Sequence, residues 1–232
     1  MKAYLFSMLI MVLSCLLVAC ESPKPNAAKT TEIPTANTDF GLSELEKQLE
    51  EYEDSKRVIW QKPELVISLI DNIEYKTVAD IGAGSGYFAF RIAGRAKKVI
   101  ALEIDQQMIA FMDSVKHFQL TENRINRFET RMDGEVPNLK IAEADAVLLT
   151  NTYIYIDNRI TYFSNLLKNL KPEGQVIIVD WKPENLPVGP KMSKKMSTYE
   201  VTQELQKAGY KIVNVDETSL QYQYIIIAES AY

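Results

Sequence analysis

Cysteine and histidine are nearly missing from this 232-residue chain: Cys15 and Cys20 are the only thiols, and His117 is the single imidazole. A disulfide-stapled frame and a Cys/His metal cluster are thereby excluded, and any metal centre would have to be built from carboxylates alone. Positive charge is also in short supply. With 26 basic residues against 31 acidic ones the formal charge is -5, which argues against a broad basic face for nucleic acid. The pairs Lys97-Lys98 and Lys194-Lys195 read as solvated positions. The length suits one globular domain with an ample core plus additional segments, and a second catalytic domain is not expected.

Glycine is used where it tells most. From Thr77 to Phe88 the chain reads TVADIGAGSGYF: an apolar, β-branched run predicts a buried strand, Gly82-Ala83-Gly84-Ser85-Gly86 a tight turn, and Tyr87 to Ala96 a helix. Glycines at alternate positions permit positive φ and leave three of the turn's five residues without a Cβ, so a ligand can lie against bare backbone. The turn is therefore a cradle for a nucleotide-like molecule. A dinucleotide fingerprint, G-x-G-x-x-G, would put its third glycine at position 87, where the chain has Tyr87; the third here is Gly86, and Asp80 stands two residues before the first. The pattern is D-x-G-x-G-x-G. A second apolar strand, Val99 to Leu102, ends in Glu103, an acid placed to accept both hydroxyls of a ribose.

On these residues the sequence resembles the seven-stranded, class I S-adenosylmethionine-dependent methyltransferases, over roughly Trp60 to the C-terminus. The resemblance implies an α/β, Rossmann-like, mostly parallel sheet of seven strands in the order 3-2-1-4-5-7-6, with helices on both faces and an N-terminal helical segment. It implies S-adenosylmethionine as cofactor, its amino acid end received by Gly82, Ala83, Gly84 and Gly86, with Asp80 ordering the turn and Glu103 holding the ribose. Asp133, in Arg131-Met132-Asp133-Gly134, would meet the adenine, although a plain Asp-Gly turn serves the same residues. Asn151 is placed with the cofactor residues, since it follows the fourth strand beside the glycine turn, and Tyr153 is expected to face the same space.

The first residues read as targeting. Lys2 gives a positive start, Ala3 to Val18 is almost wholly apolar, and Leu17-Val18-Ala19-Cys20 resembles the lipobox of bacterial lipoproteins. That resemblance implies a signal peptide over 1–19, lipid on the sulfur of Cys20, and a location on the cell envelope facing the periplasm or exterior. An uncleaved membrane anchor is the competing reading, but the run is short of the ~20 residues of a usual span. Residues 20–40, with Pro23, Pro25 and Pro34 among small polar residues, read as a flexible tether, and 41–232 as the methyltransferase domain.

Within that domain Ser43 and Glu46 predict a capping box ahead of Leu45, Leu49 and Tyr52 at helical spacing. This helix, and Trp60 after it, are read either as core or as cover over the cofactor. Further helices are expected from Pro63, over Gln106 to Phe118, after Asp157 as N-cap, and from Ser197 with Glu200 to Gly209. Remaining strands are expected over Ile125 to Thr130, Ala146 to Thr150, Gln175 to Asp180, Lys211 to Val215 and Tyr222 to Ala228. His117 is expected at the surface near a helix end, and Tyr222 and Tyr224 as packing residues.

The expected function is methyl transfer to a small molecule or lipid. No catalytic residue is assigned, although Asp180, Asn151 and Tyr153 stand nearest by topology. An accessory lipoprotein that keeps the fold without turnover is the alternative, because export would separate the domain from a cofactor made in the cytoplasm. A nicotinamide-dependent oxidoreductase is disfavoured: its glycine is misplaced and the sole Tyr-x-x-x-Lys, Tyr52 to Lys56, precedes the glycine turn.

Overall fold

The computed structural model describes residues 43–231. The apolar leader, Cys20 and the expected tether lie outside the described residues.

Seven strands form one sheet: β1 (Thr77–Ile81), β2 (Lys98–Glu103), β3 (Phe128–Met132), β4 (Ala144–Thr150), β5 (Leu170–Trp181), β6 (Tyr210–Asp216) and β7 (Gln223–Ser230), in the order β3-β2-β1-β4-β5-β7-β6. β1 pairs in parallel with β2 and β4, β2 with β3, and β4 with β5, whereas β7 runs antiparallel to both β5 and β6. This is the expected Rossmann-like sheet. The chain order reverses between β1 and β4, and the loops after β1, β2, β3 and β4 all leave from one end, so a crevice opens there.

Eight helices accompany the sheet among the described residues: α1 (Glu44–Tyr52), α2 (Arg57–Gln61), α3 (Pro63–Ser68), α4 (Tyr87–Ala93), α5 (Gln106–Gln119), α6 (Glu122–Ile125), α7 (Arg159–Leu167) and α8 (Thr198–Lys207). Successive strand residues point to opposite faces, and the core obeys this. Val78, Val99, Ala101, Ala146, Leu148, Ile177 and Val179 meet α3, α4 and α5 on one face. Ala79, Ile81, Ile100, Leu102, Val147, Leu149 and Ile178 meet Tyr162, Phe163 and Leu166 of α7 and Val201 and Leu205 of α8 on the other. Burial on both faces is why these strands read as continuous apolar runs in the sequence.

Both expected capping boxes are present, Ser43 with Glu46 and Ser197 with Glu200, and Gly209 turns the chain after α8 at φ 98°. Two local expectations are corrected. The third strand begins at Phe128, because Glu122–Ile125 close a helical turn instead. Asp157 is not the cap of α7; Asn158 holds that position at φ 47°, a left-handed conformation asparagine tolerates, and makes no side-chain cap bond. Tyr222 and Tyr224 are packing residues as expected: Tyr224 is core, and Tyr222 packs on Trp60 with centroids 6.2 Å apart. His117 is exposed in the last turn of α5, as expected.

Candidate functional site

The crevice at the strand ends is a cavity of about 1010 Å³, lined by the glycine turn, Asp80, Glu103, Asp133 and Asn151 together. Its floor is the turn after β1. Gly82, Gly84 and Gly86 have φ of +70°, +56° and +90°, all in the left-handed region that a side chain makes costly. The space is also taken. A Cβ on Gly82 would lie 2.3 Å from Thr152 Oγ1, one on Gly84 3.1 Å from the Tyr52 ring, and one on Gly86 2.7 Å from the Phe90 ring. The Gly82 and Ala83 N–H groups donate to Leu102 O at 2.9 and 3.0 Å, which fixes the turn to the end of β2.

Glu103 completes that connection. Its Oε2 accepts from the Gly84 N–H at 2.7 Å, and its Oε1 accepts from the Ile104 and Asp105 N–H groups at 2.7 and 3.1 Å. A carboxylate offers about four lone-pair positions, so three N–H donors hold Glu103 in place and leave capacity on the cavity side. Asp80 lies deeper, 2% exposed, and its Oδ2 has no hydrogen-bond partner. Burial, reinforced by the negative charge of Glu103, pushes its carboxyl up to about 7, against the opposing pull of the Ala89 N–H and Arg57.

Asp133 follows β3. Its Oδ2 accepts from the Tyr162 hydroxyl at 2.6 Å and its Oδ1 from the Asn138 N–H at 3.1 Å, while burial pushes its carboxyl up. Asn151 stands at φ 60° with its N–H donating to Val179 O at 2.9 Å, and its Oδ1 accepts from Gln223 Nε2. Tyr153 does not face this space. Residues Tyr153–Tyr155 form one 3₁₀ turn that sends the Tyr153 ring under the sheet, where its hydroxyl donates to Glu204 at 2.9 Å beside Arg159. Tyr155 lines the cavity in its place. Asp180 is likewise not a cavity residue: its two oxygens accept from the Trp181 and Tyr153 N–H groups at 2.8 and 3.2 Å, and burial pushes its carboxyl up to about 6.

A cover that the sequence left open between two readings closes the near side. Tyr52 at the end of α1 lies on Gly84. Ser85 Oγ donates to Glu53 at 2.5 Å, and Arg57 donates to Gln61 Oε1 at 2.8 Å and to the Tyr52 carbonyl. The Arg57 and Arg91 guanidinium carbons stand 3.9 and 3.7 Å from the centroid of the Tyr87 ring, which anchors α2 to α4. Trp60 packs on Trp181 with centroids 5.1 Å apart, and both indoles line the cavity. Tyr52, Arg57, Thr152 and Tyr155 thus join the site from positions that sequence reading had treated as helix packing or not singled out. In total the described lining carries seven carboxylates and one guanidinium, that of Arg57.

A turn of alternating glycines between two acids thus lies at the switch point of a 3-2-1-4-5-7-6 sheet, the place where open α/β sheets take up ligands. Comparison with known proteins makes this more specific. Residues 79–178 match the family described as a methyltransferase domain. A tRNA U34 carboxymethyltransferase from Pseudoalteromonas translucida (strain TAC 125) is 26% identical over 110 residues, 47% of this chain and 33% of that protein. The chain therefore spans about a third of that relative's length. Among solved structures, an S-adenosylmethionine-dependent methyltransferase from Aquifex aeolicus superposes with a TM-score of 0.71 at 22% identity, covering 81% of this chain and 98% of that one. One from Mesorhizobium loti gives 0.59 at 12% identity, covering 71% and 95%. The [4+2]-cyclase SpnF gives 0.62 at 12% identity, covering 73% and 80%. The described domain has the fold of these S-adenosylmethionine-dependent methyltransferases, and the cyclase shows that the fold is not confined to one chemistry.

S-adenosylmethionine suits the residues present. The buried Asp80 carboxyl, with Oδ2 left without a hydrogen-bond partner, favours a cationic neighbour, the left-handed glycines let the turn pack closely against Thr152, Tyr52 and Phe90, and the carboxylate of Glu103 is held at its rim.

Proposed function

We propose that this domain transfers the methyl group of S-adenosylmethionine to a small-molecule acceptor bound in the same cavity. Gly82 to Gly86, with Asp80 beneath, would hold the amino acid end, Glu103 the ribose and Asp133 the adenine side. When bound, the cofactor supplies an electrophilic methyl group. The chain's part is then positioning and exclusion of water, which can account for most of the acceleration of an in-line displacement. The cover of Tyr52, Arg57 and Trp60 supplies both by closing the near side of the cavity.

The observation that carries this reading is the Gly84 contact: a turn of alternating glycines, bonded to Glu103 and roofed by a tyrosine, within a cavity of about 1010 Å³. Small-molecule sites occupy roughly 300–1,000 Å³, so cofactor and a modest acceptor share the space. The tRNA acceptor in the name of the matched relative is not carried over, because the cavity lining, with seven carboxyl groups and one guanidinium, is unfavourable to a polyanion. Calorimetric titration with S-adenosylmethionine and S-adenosylhomocysteine tests the cofactor half; absence of binding at submillimolar concentration would refute it. Release of S-adenosylhomocysteine across an acceptor panel tests turnover, and binding without release would favour the accessory role instead.

The leader supports a second element of the proposal, attachment to a membrane through lipid on Cys20 with the domain on the envelope's outer side. Incorporation of a labelled fatty acid that disappears in Cys20→Ser is the expected result. Labelling that persists in that variant, or that never occurs, would remove the anchor from the proposal without touching the domain.

A further inference from the structure

The acceptor end of the cavity has a chemistry of its own. Trp60, Trp181 and Tyr155 supply aromatic surface there, with Val188 and Pro190 from the loop after β5 as apolar neighbours. Carboxylates line the same cavity: Glu51, carried in by the covering helix α1, Asp54, and Asp157 from the segment before α7. Tyr155 shows how close they come: burial raises its phenol, and the negative charges of Asp180 and Glu51 raise it further. Glu51 also acts on Tyr52.

The basic groups near this end do not balance the acids. The Arg57 guanidinium is committed to Gln61, the Tyr52 carbonyl and the Tyr87 ring. Lys194 Nζ stands 5.8 Å from the Tyr155 centroid, at the outer limit of a cation–π contact. It is exposed and does not line the cavity.

Aromatic faces combined with carboxylates are the means by which organic cations are recognised: the ring quadrupole and the fixed charge both attract, and the rings exclude water. An anionic or phosphorylated molecule would meet like charge at the same place, which disfavours it. Resting on the reading of the domain as a methyltransferase, we infer that its acceptor carries a positively charged nitrogen on a flat or apolar body, held among Trp60, Tyr155 and Trp181 and facing Glu51 and Asp157.

The test uses three isosteres, 2-phenylethylamine, 2-phenylethanol and 3-phenylpropionate, titrated calorimetrically into the protein saturated with S-adenosylhomocysteine. The amine should bind at least tenfold more tightly than the alcohol and the acid most weakly. In Glu51→Gln and Asp157→Asn the preference of amine over acid should shrink at least threefold, with thermal melting used to confirm folding. Equal affinities, preference for the acid, or no saturable binding of the amine overturns the inference, as does an amine preference that both variants leave intact. A separate titration of S-adenosylhomocysteine into the free protein keeps the two readings apart. If that ligand fails to bind while amine discrimination persists, methyl transfer falls and the cation site stands.

Discussion

Replacing Asp80 by asparagine should make the ligand-free protein more stable at alkaline pH and a poorer binder of its cofactor. The carboxyl is buried with Oδ2 unpartnered, and its folded value is displaced from 3.8 to about 7. Between those limits the folded protein keeps a proton that the unfolded chain has released, so stability falls as pH rises through the window. The displacement corresponds to ~4 kcal/mol of penalty at pH 8 and ~1 kcal/mol at pH 4.5. An asparagine amide removes the charge but leaves its own polar atoms short of partners, at ~1–3 kcal/mol. The net gain at pH 8 is then ~1–3 kcal/mol, which for a domain of this size is ~2–10 °C in Tm; at pH 4.5 it vanishes or reverses. Thermal melts of wild type and Asp80→Asn at the two pH values read this directly, and calorimetry with S-adenosylhomocysteine should show at least tenfold weaker binding. A variant equally destabilised at both pH values, or one that binds the ligand as well as wild type, would refute the electrostatic account of Asp80.

Gly84→Ala forces φ +56° on a residue with a Cβ 3.1 Å from the Tyr52 ring; it should cost ~1–2 kcal/mol of stability and at least tenfold in S-adenosylhomocysteine affinity, checked by melting and calorimetry. Gly189→Ala, at φ +87° with its Cβ 2.7 Å from Trp181, should weaken 2-phenylethylamine more than S-adenosylhomocysteine in the same titrations, because it disturbs the acceptor wall. Arg131 holds Glu143 in a two-pronged pair at 2.7 and 2.8 Å and Glu129 at 2.7 Å, bonds that pull both carboxylates down to about 2. Arg131→Met should cost ~2–4 kcal/mol at pH 7; because the carboxylate values are depressed, the difference from wild type should fade as pH drops from about 4.5 toward 2, seen in urea midpoints across that range.

The parts of the fold legible in the sequence are those set by local rules. Strand burial on two faces, the alternating glycines and the two capping boxes each have a signature within a few residues, so β1, β2, the cradle and the starts of α1 and α8 could be placed before any coordinates. Tyr153 was misplaced for a physical reason. The alternation that assigns strand side chains ends at Thr150, and the left-handed Asn151 followed by one 3₁₀ turn rotates the next residues out of phase, sending Tyr153 to Glu204 and Tyr155 to the cavity. The cover was undecided because α1 is amphipathic whichever surface it meets; what assigns it is Tyr52 on Gly84 and Glu53 on Ser85, contacts across more than thirty residues. Asp157 looked like a cap because it precedes an apolar periodic run, yet Asn158 tolerates the left-handed backbone that the helix start needs.

Unmet polar groups are not spread evenly over this molecule. Six buried side-chain atoms lack a hydrogen-bond partner among the described residues: Gln61 Nε2, Asp80 Oδ2, Tyr87 OH, Thr150 Oγ1, Asn169 Oδ1 and Gln223 Oε1. Asp80, Tyr87 and Thr150 line the cavity, and Gln61 and Gln223 are bonded to the cavity residues Arg57 and Asn151. Only Asn169 lies apart from this group. Elsewhere comparable groups are satisfied, as in Tyr153, Arg159 and Glu204 beneath the sheet or Asp145 with Lys171 and the Thr77 N–H. A fold that completes its hydrogen bonds in one region and leaves them open in another has concentrated its unfavourable energy where a ligand can relieve it. Seven carboxylates converging on the same space add repulsion of the same kind. A cation entering this space lowers the repulsion among the carboxylates, and polar groups on the same ligand can pair with the open donors and acceptors.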